Sequence, residues 1–224
     1  MNRTRTIALP LIAALALLGC KALDVVGTTA ITTFGALVEK EKGSIALDSS
    51  TRSWVLTAPG GERFSWSTDF SGKPDFRVSF DAGPYVSAGL DPAKLPPERY
   101  TFDASAGTLT LSFEVGADSF SYPGSPTPLD TFKKIVASHR PIIGYHEALD
   151  HYGIALGDGN MFEWAKDMAK NDKDMVFVLN PAPLIAAGVD PARIQGWVFA
   201  KVPVKDAAGK TIEVDKFLKP YSLP

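Results

Sequence analysis

The sequence predicts an α+β fold built as a tandem internal duplication, in which a helix-plus-antiparallel-sheet unit of about 98 residues occurs twice and packs as a pseudo-symmetric pair. Three observations predict it. Sliding the chain on itself by 98 residues lays 34–70 over 132–168 without a gap, and seven of these 37 pairs are identical, including Phe34 with Phe132, Gly61 with Gly159, Phe64 with Phe162 and Trp66 with Trp164. After one inserted residue, 75–95 lies over 174–194, where Ala88, Gly89, Asp91, Pro92 and Ala93 recur as Ala187, Gly188, Asp190, Pro191 and Ala192. Both copies also pass from a helical apolar spacing to strand-like alternation.

Each copy opens with an amphipathic helix, carried by Ile31, Phe34, Leu37 and Val38 in the first and by Leu129, Phe132, Ile135 and Val136 in the second. Thr127 is placed to cap the second helix, with Pro128 at its first position and Asp130 in its first turn. Gly43 and Pro141 mark where the two helices should stop. Short strands are expected over 44–47 and 52–57, followed by the Ala-Pro-Gly-Gly turn at 58–61 and the alternating Phe64-Ser65-Trp66. In the second copy the turn is Gly157-Asp158-Gly159, but the residue preferences of 161–170 lean towards helix. Phe76, Val78 and Phe80 alternate as a strand, answered by the apolar run 175–179. A short helix ending at Gly89 or Gly188 follows, the glycine suiting a left-handed C-cap. Each copy closes with a hairpin, 100–103 with 108–115 and 197–204 with 210–214. The expected division is a targeting segment at 1–19, a tether at 20–27, the first repeat at 28–115, a Gly/Ser/Pro-rich linker at 116–127 and the second repeat at 128–224.

The amino-terminal segment has a short basic start, Arg3 and Arg5, and an almost continuous apolar run of 12 residues from Ile7 to Leu18. That is signal-peptide length; a spanning helix needs about 20 apolar residues. Its end, Leu17-Leu18-Gly19-Cys20, resembles the lipobox of bacterial lipoproteins. The resemblance covers the first 20 residues and implies cleavage between Gly19 and Cys20, with a diacylglyceryl group on the Cys20 sulfur and acylation of the new amino terminus. Two or three acyl chains anchor a protein durably, whereas one alone holds it only marginally. The partner so implied is the membrane, reached through covalent lipid. The residue after the cysteine is Lys21 and not the Asp of inner-membrane retention, so the outer membrane is favoured in a two-membrane envelope, and the outer face of the plasma membrane otherwise.

The whole chain carries 23 Lys and Arg against 25 Asp and Glu. Loss of the first 19 residues removes two arginines and no acids, leaving 21 against 25 and a mildly acidic body with no basic footprint for nucleic acid. Cys20 is the only cysteine, which excludes an internal disulfide framework and a cysteine-based zinc site.

One cluster carries catalytic residue types. His139, His146 and His151 fall within 13 residues beside Glu147 and Asp150, and the first copy has Glu41, Asp48 and Ser53 where the histidines stand. Five residues separate His146 from His151, which on a helix turns the second imidazole about 140° from the first. A metal site there would therefore be built on a loop, and the simpler expectation is a polar connection with surface histidines. Trp66 and Trp164, with Phe64 and Phe162, are the candidate lining of a ligand groove between the halves, against a core role. No Gly-x-Ser-x-Gly, P-loop or dinucleotide fingerprint occurs, and no cofactor is implied. The sequence thus favours a lipid-anchored envelope module that binds a ligand or partner without catalysis, over a metal-assisted hydrolase using the histidines or a purely structural envelope protein. A Cys20→Ala variant is expected to lose lipid labelling and to leave the membrane fraction; continued labelling would refute the attachment site.

Overall fold

In a computed structural model the described residues are 20–122, 124–138, 142–147, 149–170, 173–206 and 208–223, with side chains considered from residue 29 onward. The segment 1–19, including Gly19, and His139 lie outside them. The fold is mixed α+β, with two six-stranded antiparallel sheets and few helices. Helix α1 spans Cys20–Lys40, so the stretch 20–27 is continuous with it. Strands β1 (Ile45–Asp48), β2 (Ser53–Thr57), β3 (Arg63–Ser67) and β4 (Phe76–Asp81) precede a one-turn helix α2 (Gly83–Ser87), then β5 (Tyr100–Asp103) and β6 (Thr108–Phe113). Helix α3 (Pro128–Ser138) leads into β7 (Ile143–His146), β8 (His151–Gly157), β9 (Asn160–Ala165) and β10 (Met175–Leu179). A second one-turn helix, α4 (Ala182–Ala186), precedes β11 (Val198–Lys205) and β12 (Thr211–Tyr221). The first sheet runs β1-β2-β3-β4-β6-β5, and the second has the same order in its own numbering, β7-β8-β9-β10-β12-β11.

The helix caps follow local chemistry. The Thr127 hydroxyl accepts from the Asp130 amide at 3.1 Å and donates to the Asp130 carboxylate at 2.7 Å, which closes the first turn of α3. Asp91 and Asp190 accept from the amides of Ala93 and Ala192 and cap matching single turns of 3-10 helix. The segment that leaned towards helix, 161–170, is strand through Ala165. Tertiary pairing overrides propensity there, because Trp164 lies opposite Tyr152 on β8 and Met175 on β10.

Alternation places Phe64 and Trp66 of β3, and Phe162 and Trp164 of β9, on the inner faces, and all four are fully buried. Phe64 stacks on Phe162 with centroids 4.3 Å apart and planes 6° from parallel. Above them Phe34 of α1 stacks on Phe132 of α3 at 3.6 Å, and Phe34 also meets both tryptophans edge-on, at 5.7 and 5.2 Å. Trp164 Nε1 donates to the Thr33 hydroxyl at 2.9 Å. The inner faces therefore share one aromatic core, each buried phenylalanine contributing about 1.5–3 kcal/mol of transfer free energy.

The helices α2 and α4 end at glycines that touch each other. Gly89 and Gly188 have φ of +108° and +106°, and a Cβ on either would lie 2.7 Å from the other's carbonyl oxygen. Beside them the Asp91 amide donates to Ala187 O at 2.8 Å and the Asp190 amide to Ala88 O at 2.9 Å. Buried Asp75 and Asp174 play a second matched part: Asp75 accepts from the amides of Val115 and Gly116, and Asp174 from that of Leu223. Both Gly89→Ala and Gly188→Ala combine a disfavoured backbone conformation with a backbone clash, so each is expected to destabilise the fold by about 2 kcal/mol or more. Denaturant unfolding of the two variants checks this, and a neutral result for either would contradict the close approach.

Candidate functional site

The strands β7 and β8 pair as a hairpin whose register sets His146 directly opposite His151. The two histidines are strand residues, His146 on the edge strand β7 and His151 on its inner neighbour β8, and not the surface-loop pair that the sequence suggested. His151 is 2% exposed. They share a partner that sequence reasoning missed, Glu163 of β9, whose side chain is 2% exposed. His146 Nδ1 lies 3.2 Å from one carboxylate oxygen and His151 Nδ1 3.6 Å from the other. His151 Nε2 is 2.8 Å from the Lys173 carbonyl, while His146 Nε2 is shielded and has no hydrogen-bond partner among the described residues.

Backbone geometry makes room for this carboxylate. Gly144, Gly153 and Glu163 lie side by side across β7, β8 and β9, and a Cβ on Gly153 would stand 3.0 Å from Glu163 Cγ. Burial pushes the Glu163 carboxyl up, but hydrogen bonding and charge from His146 and His151 outweigh it and hold the group below its ordinary value. The hydrogen bond to Glu163 likewise raises His146. Lys216 is buried nearby and donates to the Gly159 carbonyl at 2.6 Å; burial lowers its pKa while the Glu163 charge acts in the opposite sense.

The other members of the expected cluster do not converge. Glu147 is an exposed turn residue, and Asp150, in left-handed conformation at φ +52°, accepts from the Tyr145 hydroxyl and pairs with Lys166 at 3.6 Å. Among the described residues no group of three or more His, Cys, Asp or Glu side chains is arranged to hold a metal ion. The expected groove at Trp66 and Trp164 is not present at those residues: both are fully buried, because Phe34, Phe132, Phe64 and Phe162 occupy the space between the sheets.

An open cleft of about 450 Å³ lies elsewhere, in the first half of the chain. Its lining includes Leu47, Trp54 and Arg52 of the β1–β2 hairpin, Asp69, which is ion-paired with Arg52, and Phe120 and Tyr122 of the segment after β6. The Phe120 amide donates to the Asp69 carbonyl at 3.0 Å and its ring packs on Phe70, which fastens this segment as a strap across the sheet. Among the described residues no helix is long and apolar enough to cross a membrane. No family model, no curated protein and no solved structure matches the chain.

The buried triad makes stability depend on pH in two directions. Glu163 is depressed from 4.5, so its contribution is complete above that value and is lost as pH falls through the folded value. His146 is raised from 6.5, so its contribution is complete below 6.5 and is lost as pH rises through the folded value. The triad's contribution is therefore expected to peak at about pH 5–6. Glu163→Gln, measured by urea unfolding across pH 4–9, is expected to cost about 1–3 kcal/mol near the peak and to flatten both flanks; an unchanged profile would show that the triad is not coupled to folding.

Proposed function

We propose that the chain is a lipid-anchored cell-envelope lipoprotein whose body is a fused duplication, packed as a pseudo-symmetric pair and used as a non-enzymatic ligand- or partner-binding module. Supporting the anchor are the 12-residue apolar run, the Leu-Leu-Gly-Cys sequence and the position of the only cysteine at its end. Supporting the duplication are the repeated strand order and the contacts between positions 98 or 99 residues apart, Phe34 with Phe132, Phe64 with Phe162 and Gly89 with Gly188. Lys21 after the cysteine favours the outer membrane where there are two membranes, and the outer face of the plasma membrane where there is one.

One observation carries the choice of binding over catalysis. His146 and His151 face a buried carboxylate inside the second half, whereas the open cleft is lined by aromatic and hydroxyl side chains. A metal-assisted hydrolase built on His146 and His151 would need both imidazoles to leave Glu163. Native mass spectrometry of the intact lipoprotein, purified without chelator or affinity metal, tests the reading. The expected spectrum carries the mass of the acyl chains and no stoichiometric transition metal, and a ligand where present leaves on gentle activation. A stoichiometric metal would overturn it in favour of the hydrolase.

A further inference from the structure

We propose that the cleft between the β1–β2 hairpin and the strap is a carbohydrate site, taking a neutral oligosaccharide with an apolar ring face and hydrogen-bonding edges. This rests on the reading of the chain as an envelope-anchored binding module and names the ligand class for it. The cleft volume, about 450 Å³, falls within the range of about 300–1,000 Å³ common to small-molecule sites. Its lining is rich in aromatic side chains: Trp54, with Phe120 and Tyr122, whose rings meet at 86° with centroids 5.4 Å apart.

The polar chemistry narrows the ligand. Arg52 and Asp69 are the charged side chains of the lining, and they neutralise each other. The paired lining carries no net charge, so it gives a neutral ligand no electrostatic penalty and an ion little net attraction. Trp54 is only half-buried in this lining, so part of its ring is open to a ligand. Serine and threonine hydroxyls complete the lining. A sugar ring combines these requirements, since its C–H face packs on an aromatic side chain while its hydroxyls both donate and accept.

The feature belongs to one copy. At the positions 98 residues after Leu47 and Trp54 stand Tyr145 and Tyr152, whose rings pack on each other at 5.3 Å. Tyr152 is buried there, while Trp54 is only half-buried and Leu47 is exposed. The second copy thus satisfies its hairpin with its own side chains, and the first leaves that surface to something else.

The test uses the full-length lipoprotein in zwitterionic detergent, because glycosidic detergents would compete. Tryptophan fluorescence and calorimetry follow titration with chitotetraose, cellotetraose and maltotetraose. A saturable response to at least one, weakened tenfold or more both by Trp54→Phe and by Ser121→Trp, is the expected result; the second variant fills the cleft from an exposed strap position and leaves the core untouched. Silence towards all three at millimolar concentration, a response indifferent to Ser121→Trp, or a stronger response to a sulfated oligosaccharide would each overturn the assignment. Vesicle flotation of the same preparation separates the two readings. A folded chain that floats but ignores the sugars refutes the carbohydrate and spares the anchored module, whereas one that binds sugar but does not float supports the site and refutes the anchor.

Discussion

The stack of Phe64 on Phe162, with Phe34 on Phe132 above it, is the contact on which the rest of the body depends. Each sheet is amphipathic and needs a cover for its inner face, and each finds it in the other sheet and in the two long helices. Stacking like residues on like residues sets the distance between the layers. The tryptophans, the edge-on ring contacts and the hydrogen bond from Trp164 to Thr33 then fit around that spacing. With this centre filled, Phe34, Phe64, Phe132 and Phe162 occupy the space between the sheets.

Differences between the halves accordingly appear at the edges, where packing is less demanding. At the β7–β8 hairpin a glutamate and two histidines form an internal polar cluster, where the first half has Ser65, Asp48 and Ser53. At the β1–β2 hairpin a strap and a half-buried tryptophan frame an open cleft. Buried ionic groups are a weak source of net stability even when paired, because desolvation offsets much of their attraction. The triad is therefore better understood as a lock on one geometry of the hairpin than as a general reinforcement of the fold.

Much of the architecture was legible in the residues, because periodicity and the spacing of turn glycines are local signals. The helical stripes at Phe34 and Phe132, the Thr127 cap and the positive-φ glycines 89 and 188 all follow from chemistry within a few residues. The site was less legible, since it depends on which strands become neighbours. Glu163 sits between Phe162 and Trp164, so alternation assigns it to the polar outer face, and only the pairing of β9 with β8 reveals that this face is closed around it. A signal existed in the 98-residue self-alignment of the sequence, where Asp48, Ser53 and Ser65 stand opposite His146, His151 and Glu163. The two tryptophans mislead for the opposite reason, because a repeated aromatic pair suits a groove and a core equally until the opposing layer is known. The β9 segment shows the same limit, its helical preference giving way to partners on both sides.

The reciprocal contact at Gly89 and Gly188 joins residues 99 positions apart, and the aromatic stacks join residues 98 apart. Such distant pairings slow folding, because the loop between them must close before any contact rewards it. They also bind the fates of the two sheets together. Alone, the first sheet would leave Phe34, Phe64 and Trp66 with nothing to lie against, and the second Phe132, Phe162 and Trp164. A chain severed between β6 and α3 is thus two apolar faces in search of each other, and neither piece is expected to hold its fold by itself.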